Sequence, residues 1–254
     1  MTGTIGLGVD VGGSGIKGAT VDLATGDLTQ ERLRIETPRP ATPEAVAAVV
    51  AEVVSHFRGE LGDGPIGVTI PGVVTGGVVR TAANIDPSWI GTDIDALLTQ
   101  RLGRPVHVVN DADAAGVAEA RFGAARDARG LVLVSTLGTG IGTALLLDGK
   151  LVPNSELGHL EIDGHDAESR AANSARERDD LSMEHWAKRL TVYYRTLEKL
   201  FSPDLFVVGG GVSKDAGEFL HLIGIETEIV PAKLENRAGI VGAALWAAEA
   251  GDEH

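Results

Sequence analysis

A chain of 254 residues, 43% hydrophobic and 23% charged, has room for one large core or two lobes, since a single core usually serves about 100 to 150 residues. A formal charge of −14 opposes non-specific binding to nucleic acid or anionic membranes, and an aromatic content of 4% argues against a base-stacking surface. The lack of cysteine excludes disulfides, thiol catalysis and cysteine-ligated zinc. With no export signal read in Met1 to Gly13 and no apolar run near the roughly 18 residues that span a bilayer, a cytoplasmic location is expected.

Along the chain, Ile5 to Asp10 reads as a buried strand. Gly12, Gly13, Gly15 and Gly18 then crowd a turn before a strand-like pattern resumes over Ala19 to Leu23, which indicates a hairpin. Leu28 to Glu36 predicts a third strand, Thr37 to Pro43 a proline-broken loop, and Glu44 to Phe57 a helix. Strands at Ile66 to Ile70 and Val106 to Val109 flank a helix over Asp93 to Leu102, and another helix begins at Asn110 or Asp111. The order then restarts: strand Leu131 to Thr136, a glycine turn through Gly138, Gly140 and Gly142, strand Thr143 to Leu147, and a hairpin turn at Asp148 to Lys150. A long amphipathic helix over Met183 to Leu200 follows, then strand Leu205 to Val208, a short helix after Gly211, strand Glu226 to Val230 and a last helix from Asn236 to Ala248. Two α/β lobes result, residues 1–120 and 121–254, each opening with strand, glycine turn and strand. The helix over 236–248 is a candidate to pack back on the first lobe, and ligands are expected in the crevice between the lobes.

Gly13-Ser14-Gly15-Ile16-Lys17-Gly18 fits the dinucleotide fingerprint as a string, but that motif opens a helix and here a strand follows. It is not a P-loop either, because Gly18 stands where Ser or Thr must follow the lysine. What remains is a hairpin of Gly12, Gly13, Ser14 and Gly15 whose backbone N–H groups can approach phosphate oxygens, with Ser14 and Lys17 as added donors. Thr136, Gly138, Thr139 and Gly140 form a second such turn. Either alone could be a plain structural hairpin, while two opening similar lobes favour a clamp on one phosphate chain. Asp10, beside the first turn, is the candidate to hold Mg²⁺ through water; the alternative is an acceptor for N–H groups of the turn.

Asn110 and Asp111 start a helix, so each can be read as its cap. A carboxylate there can also serve as base for phosphoryl transfer, and a helix N-terminus favours its ionised form. Asp113 is the rival and is expected to face solvent. Glu156-Leu157-Gly158-His159 combines acceptor, donor and an approachable backbone, as a grip on neighbouring sugar hydroxyls requires. Glu168 is a further acceptor, and Asn84 and Gly72 are placed to line the same pocket. His159 and His165 lack a second ligand pair at zinc spacing, so no structural zinc is expected.

With Asp10-Val11-Gly12-Gly13-Ser14 and Lys17, Asn110-Asp111, Leu137 to Gly142, Glu156 to His159 and Gly209-Gly210-Gly211-Val212-Ser213 in this order, the chain resembles the ROK sugar kinases over nearly its whole length. The resemblance implies a two-lobed actin-like, hexokinase-like (ribonuclease H-like) fold with sugar and phosphate donor in the interlobe cleft. It implies Asp111 as base toward the 6-hydroxyl of glucose, sugar contacts from Asn110, Asp111, Glu156, His159 and Glu168, phosphate contacts from both glycine turns, and a homodimer. Most relatives carry a cysteine-rich zinc motif after Glu-x-Gly-His; here Ile162 to Glu168 is short and free of cysteine. The trimmed stretch Lys214 to Ile225, with Ala171-Ala172-Asn173-Ser174 and Glu184-His185-Trp186-Ala187, is similar to actinobacterial polyphosphate glucokinases. Polyphosphate needs cations and backbone donors but no adenine pocket, and Lys17, Arg126, Arg129, Lys150, Arg176 and Arg178 are candidates for its groove, each also readable as a solvated surface charge. Two alternatives stay open: a strictly ATP-dependent hexokinase, and a sugar-responsive regulator lacking its DNA-binding domain.

Overall fold

Alternation along Ile5–Val11 (β1) sorts the residues of the first strand. Leu7, Val9 and Val11 are buried in an apolar cluster, and Gly6, Gly8 and Asp10 take the other face. The computed structural model describes residues 5–82 and 85–252, so Asn84 lies outside the described residues. After β1 come β2 (Ile16–Asp22), β3 (Leu33–Ile35), α1 (Pro43–Leu61), β4 (Ile66–Ile70), the small hairpin β5 (Val74–Thr75) and β6 (Val78–Val79), α2 (Ile94–Leu102), β7 (His107–Asn110) and α3 (Asp111–Phe122). The first sheet runs β3-β2-β1-β4-β7, with β1 antiparallel to β2 and parallel to β4, which in turn is parallel to β7.

Helix α1 begins where Thr42 accepts the N–H of Ala45 and Pro43 supplies a preset φ. It buries Val46, Val50, Val53, Phe57 and Leu61 against the Leu7–Val9 face. The C-terminal helix, Ala238–Asp252, covers the opposite face, and this requires glycine: a Cβ on Gly8 would lie 1.8 Å from the Ile240 carbonyl oxygen and one on Gly67 1.8 Å from that of Ala243. By contacts, Met1–Ala114 and Arg237–His254 form one unit and Ala115–Asn236 the other, with the division falling inside α3.

The second unit repeats the pattern with β8 (Leu131–Leu137), β9 (Ile141–Leu147) and β10 (Lys150–Val152). Then come the hairpin β11 (Glu161–Ile162) and β12 (His165–Asp166), α4 (Glu168–Ala171), α5 (Asn173–Arg178), α6 (Met183–Phe201), β13 (Leu205–Gly209), α7 (Ala216–Phe219) and β14 (Ile229–Pro231). Its sheet, β10-β9-β8-β13-β14, has the order and directions of the first. On α6, Trp186, Leu190, Tyr193, Tyr194 and Leu197 recur at helical spacing and pack with Phe206 and Phe219.

Several expectations change: Gly18 and Gly142 stand inside β2 and β9, which begin at Ile16 and Ile141, and not in the turns. The third strand is only Leu33–Ile35; Leu28 makes one isolated bridge to Val21, and Gln30, Glu31 and Arg32 are exposed. The last strand starts at Ile229 rather than Glu226, because the N–H groups of Glu226 and Thr227 donate to the Glu198 carboxylate on α6. Asp113 does not face solvent: it is 1% exposed, in a helix whose residues Ala112 to Glu119 are all buried and which therefore has no solvent face there.

Candidate active site

In the first unit, candidate residues collect at the carboxyl ends of three parallel strands, the edge where ligands of open α/β sheets bind. Asp10 pairs in register with Lys17 on one side and Thr69 on the other. Thr69 Oγ1 donates to Asp10 Oδ1 at 3.0 Å and accepts the N–H of Val11, and Lys17 Nζ stands 3.7 Å from Asp10 Oδ2. Gly239, at the start of the C-terminal helix, faces this carboxylate, and a Cβ there would come within 3.2 Å of Oδ1. An aligned, partly exposed carboxylate is the oxygen donor that a hard divalent cation takes, so the donor set fits Mg²⁺.

The glycine turn between β1 and β2 closes with Gly12 N–H donating to the Gly15 carbonyl at 3.1 Å. Thr37 Oγ1 donates to the Gly12 carbonyl and Arg34 to that of Ser14. Carbonyl lone pairs repel an anion and N–H groups attract it, so occupying these carbonyls suits the turn to phosphate. A Cβ on Gly13 would meet nothing within 4 Å, which leaves the tip open.

At the end of β7, Asn110 resolves the capping question. Its Oδ1 accepts the N–H groups of Ala112 (2.8 Å) and Asp113 (3.1 Å), and its Nδ2 donates to the Gly72 carbonyl at 3.1 Å. Asn110 is thus the N-cap and ties the Pro71–Gly72 turn to the helix start. Asp111 is the first helical residue and half-buried, with its Oδ1 2.9 Å from the N–H of Ala112.

In the second unit the turn after β8 closes through Gly138 N–H to the Gly140 carbonyl at 3.0 Å. Ser174 of α5 donates its N–H to the Gly138 carbonyl and its hydroxyl to that of Thr139, again consuming carbonyls. Glu168 Oε2 accepts the N–H of Ile141 at 3.0 Å and would lie 2.3 Å from a Cβ on Gly140. Thr136 precedes this turn in register with Gly142.

The Glu156–His159 segment is fixed from β9. Thr143 Oγ1 donates to the Ser155 carbonyl and accepts the N–H of Leu157, and a Cβ on Gly158 would sit 2.1 Å from the Ile141 carbonyl oxygen. His159 Nδ1 is 2.9 Å from Asp166 Oδ2 and 3.9 Å from Glu168 Oε1. The Asp166 hydrogen bond raises the His159 pKa above its ordinary value, with Glu168 and Glu156 adding to the effect, while burial raises that of Glu156. Atoms of His159, Asp166 and Glu168 lie within 4.8 Å of one another, a spacing that a metal ion also fits. His165 points elsewhere, with its Nε2 2.7 Å from Arg170.

Among the cations proposed for a donor groove, Arg178 is paired with Asp179 at 2.8 Å and Arg176 lies 3.7 Å from Glu177, above the Trp186 ring. Arg126, Arg129 and Lys150 are exposed. Reading the sequence left out Thr37, Thr69, Thr143 and Asp166, which position the candidates through contacts across strands and turns. Only Asp166 had a signal: Asp163-Gly164, a two-residue hairpin turn with φ of 52° and 75°.

The sequence pattern of the ROK family matches residues 6–175, two-thirds of the chain. This chain belongs to the ROK family. Among ROK proteins it is 53% identical to a polyphosphate glucokinase of Mycobacterium tuberculosis, over 94% of this chain and 90% of the relative. The crystal structure of an inorganic polyphosphate/ATP-glucomannokinase from Arthrobacter sp. superposes with a TM-score of 0.93 at 58% identity, covering 97% of this chain and 99% of the other. A ROK glucokinase from Streptomyces griseus, solved with glucose and AMPPNP, superposes with a TM-score of 0.83 at 25% identity, covering 96% and 99%. The two-sheet architecture is thus that of ROK hexokinase-like kinases. Among the described residues no helix is long and apolar enough to cross a membrane.

Proposed function

We propose that this ROK protein is a glucokinase that transfers the terminal phosphoryl group of inorganic polyphosphate to the 6-hydroxyl of glucose, with Asp111 as base. The observation that carries the assignment of the base is the division of labour at the start of α3. Asn110 takes the capping role, so a carboxylate at Asp111 is not needed for it. The 6-oxygen attacks the terminal phosphorus, the bridging P–O bond breaks toward the shortened polyphosphate, and the hydroxyl proton passes to Asp111 as the new bond forms. Catalysis is then mostly positioning and charge neutralisation.

Glucose is assigned to Asn110, Asp111, Glu156, His159 and Glu168, and, on the sequence reading alone, to Asn84 and Gly72. The donor is assigned to Gly12, Gly13, Ser14, Gly15, Lys17, Thr136, Gly138, Thr139 and Gly140. Support comes from the tied-back carbonyls of both turns. Asp10 is the residue to hold Mg²⁺ through water, and the bound ion would supply neutralisation of donor phosphate charge. ATP is a second donor in this reading, because the 58%-identical relative is named for both. A cytoplasmic homodimer completes the proposal, and light scattering tests the dimer.

Asp111→Asn is expected to lower kcat by about 10²- to 10⁴-fold, the span of a lost general base, while glucose binding stays within about tenfold. Near-normal turnover would remove Asp111 from the role. Initial rates with glucose and either polyphosphate or ATP test the donor; a strong preference for ATP would overturn polyphosphate as the main one.

A further inference from the structure

We propose that Asp166 is the positioning residue of the glucose cluster, holding His159 with one carboxylate oxygen and the Glu168 backbone with the other. The inference rests on the reading of His159 and Glu168 as sugar contacts. Asp166 ends the β11–β12 hairpin, in register with Glu161, and Ala167 N–H donates back to the Leu160 carbonyl at 2.9 Å. The loop from His159 to Glu168 thereby closes on itself, and Asp166 is the side chain that joins its ends.

Oδ2 lies 2.9 Å from His159 Nδ1, and Oδ1 accepts the N–H groups of Glu168 (3.1 Å) and Ser169 (3.4 Å). Ser169 Oγ adds a bond to the Asp166 carbonyl at 2.6 Å. With Nδ1–H given to Asp166, the His159 tautomer and ring plane are set and Nε2 is the nitrogen left for a ligand. Fixing Glu168 N–H sets the start of α4, whose first side chain reaches the second glycine turn at Ile141. One aspartate thus aligns His159 Nε2, an acceptor in this tautomer and a donor when the ring is protonated, beside the Glu168 carboxylate for neighbouring hydroxyls.

Asp166→Asn separates the two arms. Its amide oxygen can still accept from Glu168 and Ser169, but the amide nitrogen facing His159 cannot accept from Nδ1–H. The groups facing His159 are Asp166, Glu168 and Glu156, of which Asp166 contributes most to its raised pKa. In the variant the His159 titration should therefore fall toward its ordinary value. By NMR of the imidazole signals, assigned with His159→Gln, the midpoint should move down. The KM for glucose should rise about tenfold, one lost charge-assisted hydrogen bond, with the KM for polyphosphate and the thermal midpoint unchanged. Asp166→Ala should raise it further, and His159→Ala combined with Asp166→Asn should be no worse than His159→Ala alone.

An unmoved His159 titration, or a double variant whose effects simply add, would overturn the inference while leaving the kinase reading intact. If His159→Ala itself leaves the glucose KM unchanged, the sugar-contact reading fails and the inference falls with it.

Discussion

The turn after β1 and the turn after β8 occupy equivalent places in two sheets of identical order, yet they are supported differently. The first is held by Thr37 and Arg34, and its tip at Gly13 borders open space. The second is held by Ser174 and Glu168, and Glu168 also belongs to the group around His159. Both spend their carbonyls on internal donors, which is what a phosphate-facing turn needs. Among the described residues, the second is joined to a proposed sugar contact by the hydrogen bond from Ile141 N–H to Glu168. Changes in the first turn should therefore act on the donor alone, whereas changes in the second should reach glucose as well.

Gly140→Ala tests this contrast with the largest effect of the turn variants. The new methyl would stand 2.3 Å from Glu168 Oε2, so the carboxylate must swing away and give up the Ile141 N–H. A hydrogen bond to a charged group contributes about 1.5–3 kcal/mol, so the KM for glucose and that for polyphosphate should both rise tenfold or more, with a lower thermal midpoint. A donor-only effect would break the proposed coupling.

Gly13→Ala is the counterpart. A Cβ there has nothing within 4 Å and its φ lies outside the left-handed region, so thermal stability should match the parent. If this turn binds the donor as proposed, the methyl would crowd the approaching phosphate, and the KM for polyphosphate should rise about three- to tenfold with that for glucose unchanged. A lowered thermal midpoint without a donor effect would make this turn structural.

How much of this was legible depends on distance along the chain. Strand, turn and strand are local patterns, and both sheets' leading hairpins could be read from alternation and glycine spacing. The choice between Asn110 and Asp111 as cap could not, because the two differ by one position and Gly72, which orients Asn110, comes from another strand end. Glu119 makes the point more strongly. It is 1% exposed and looks in sequence like a helix surface acid, yet it accepts the N–H groups of Ala124, Lys233 and Leu234. A carboxylate stabilised by partners more than a hundred positions away leaves no trace in local periodicity. Asp166 lies between these cases: its Asp163-Gly164 turn is a recognisable signal, but strands of two residues are too short to show alternation.

Ser174→Ala makes the finest cut between the two turns. It removes the hydroxyl that donates to the Thr139 carbonyl but keeps the N–H that donates to Gly138, so the turn loses one of its two ties to α5. One neutral hydrogen bond contributes about 0.5–1.5 kcal/mol, and the exposed Thr139 carbonyl can recruit water, so thermal stability should fall only slightly. The freed lone pair would, however, leave uncompensated negative potential on a turn proposed to face the donor. If tied carbonyls are what make the turn attractive to phosphate, the KM for polyphosphate should rise about two- to fivefold and more steeply at low ionic strength, where a local repulsion is least screened. An unchanged donor KM would mean that the backbone N–H groups alone set the affinity, and that the similar ties of Thr37 and Arg34 at the first turn serve its shape rather than its charge.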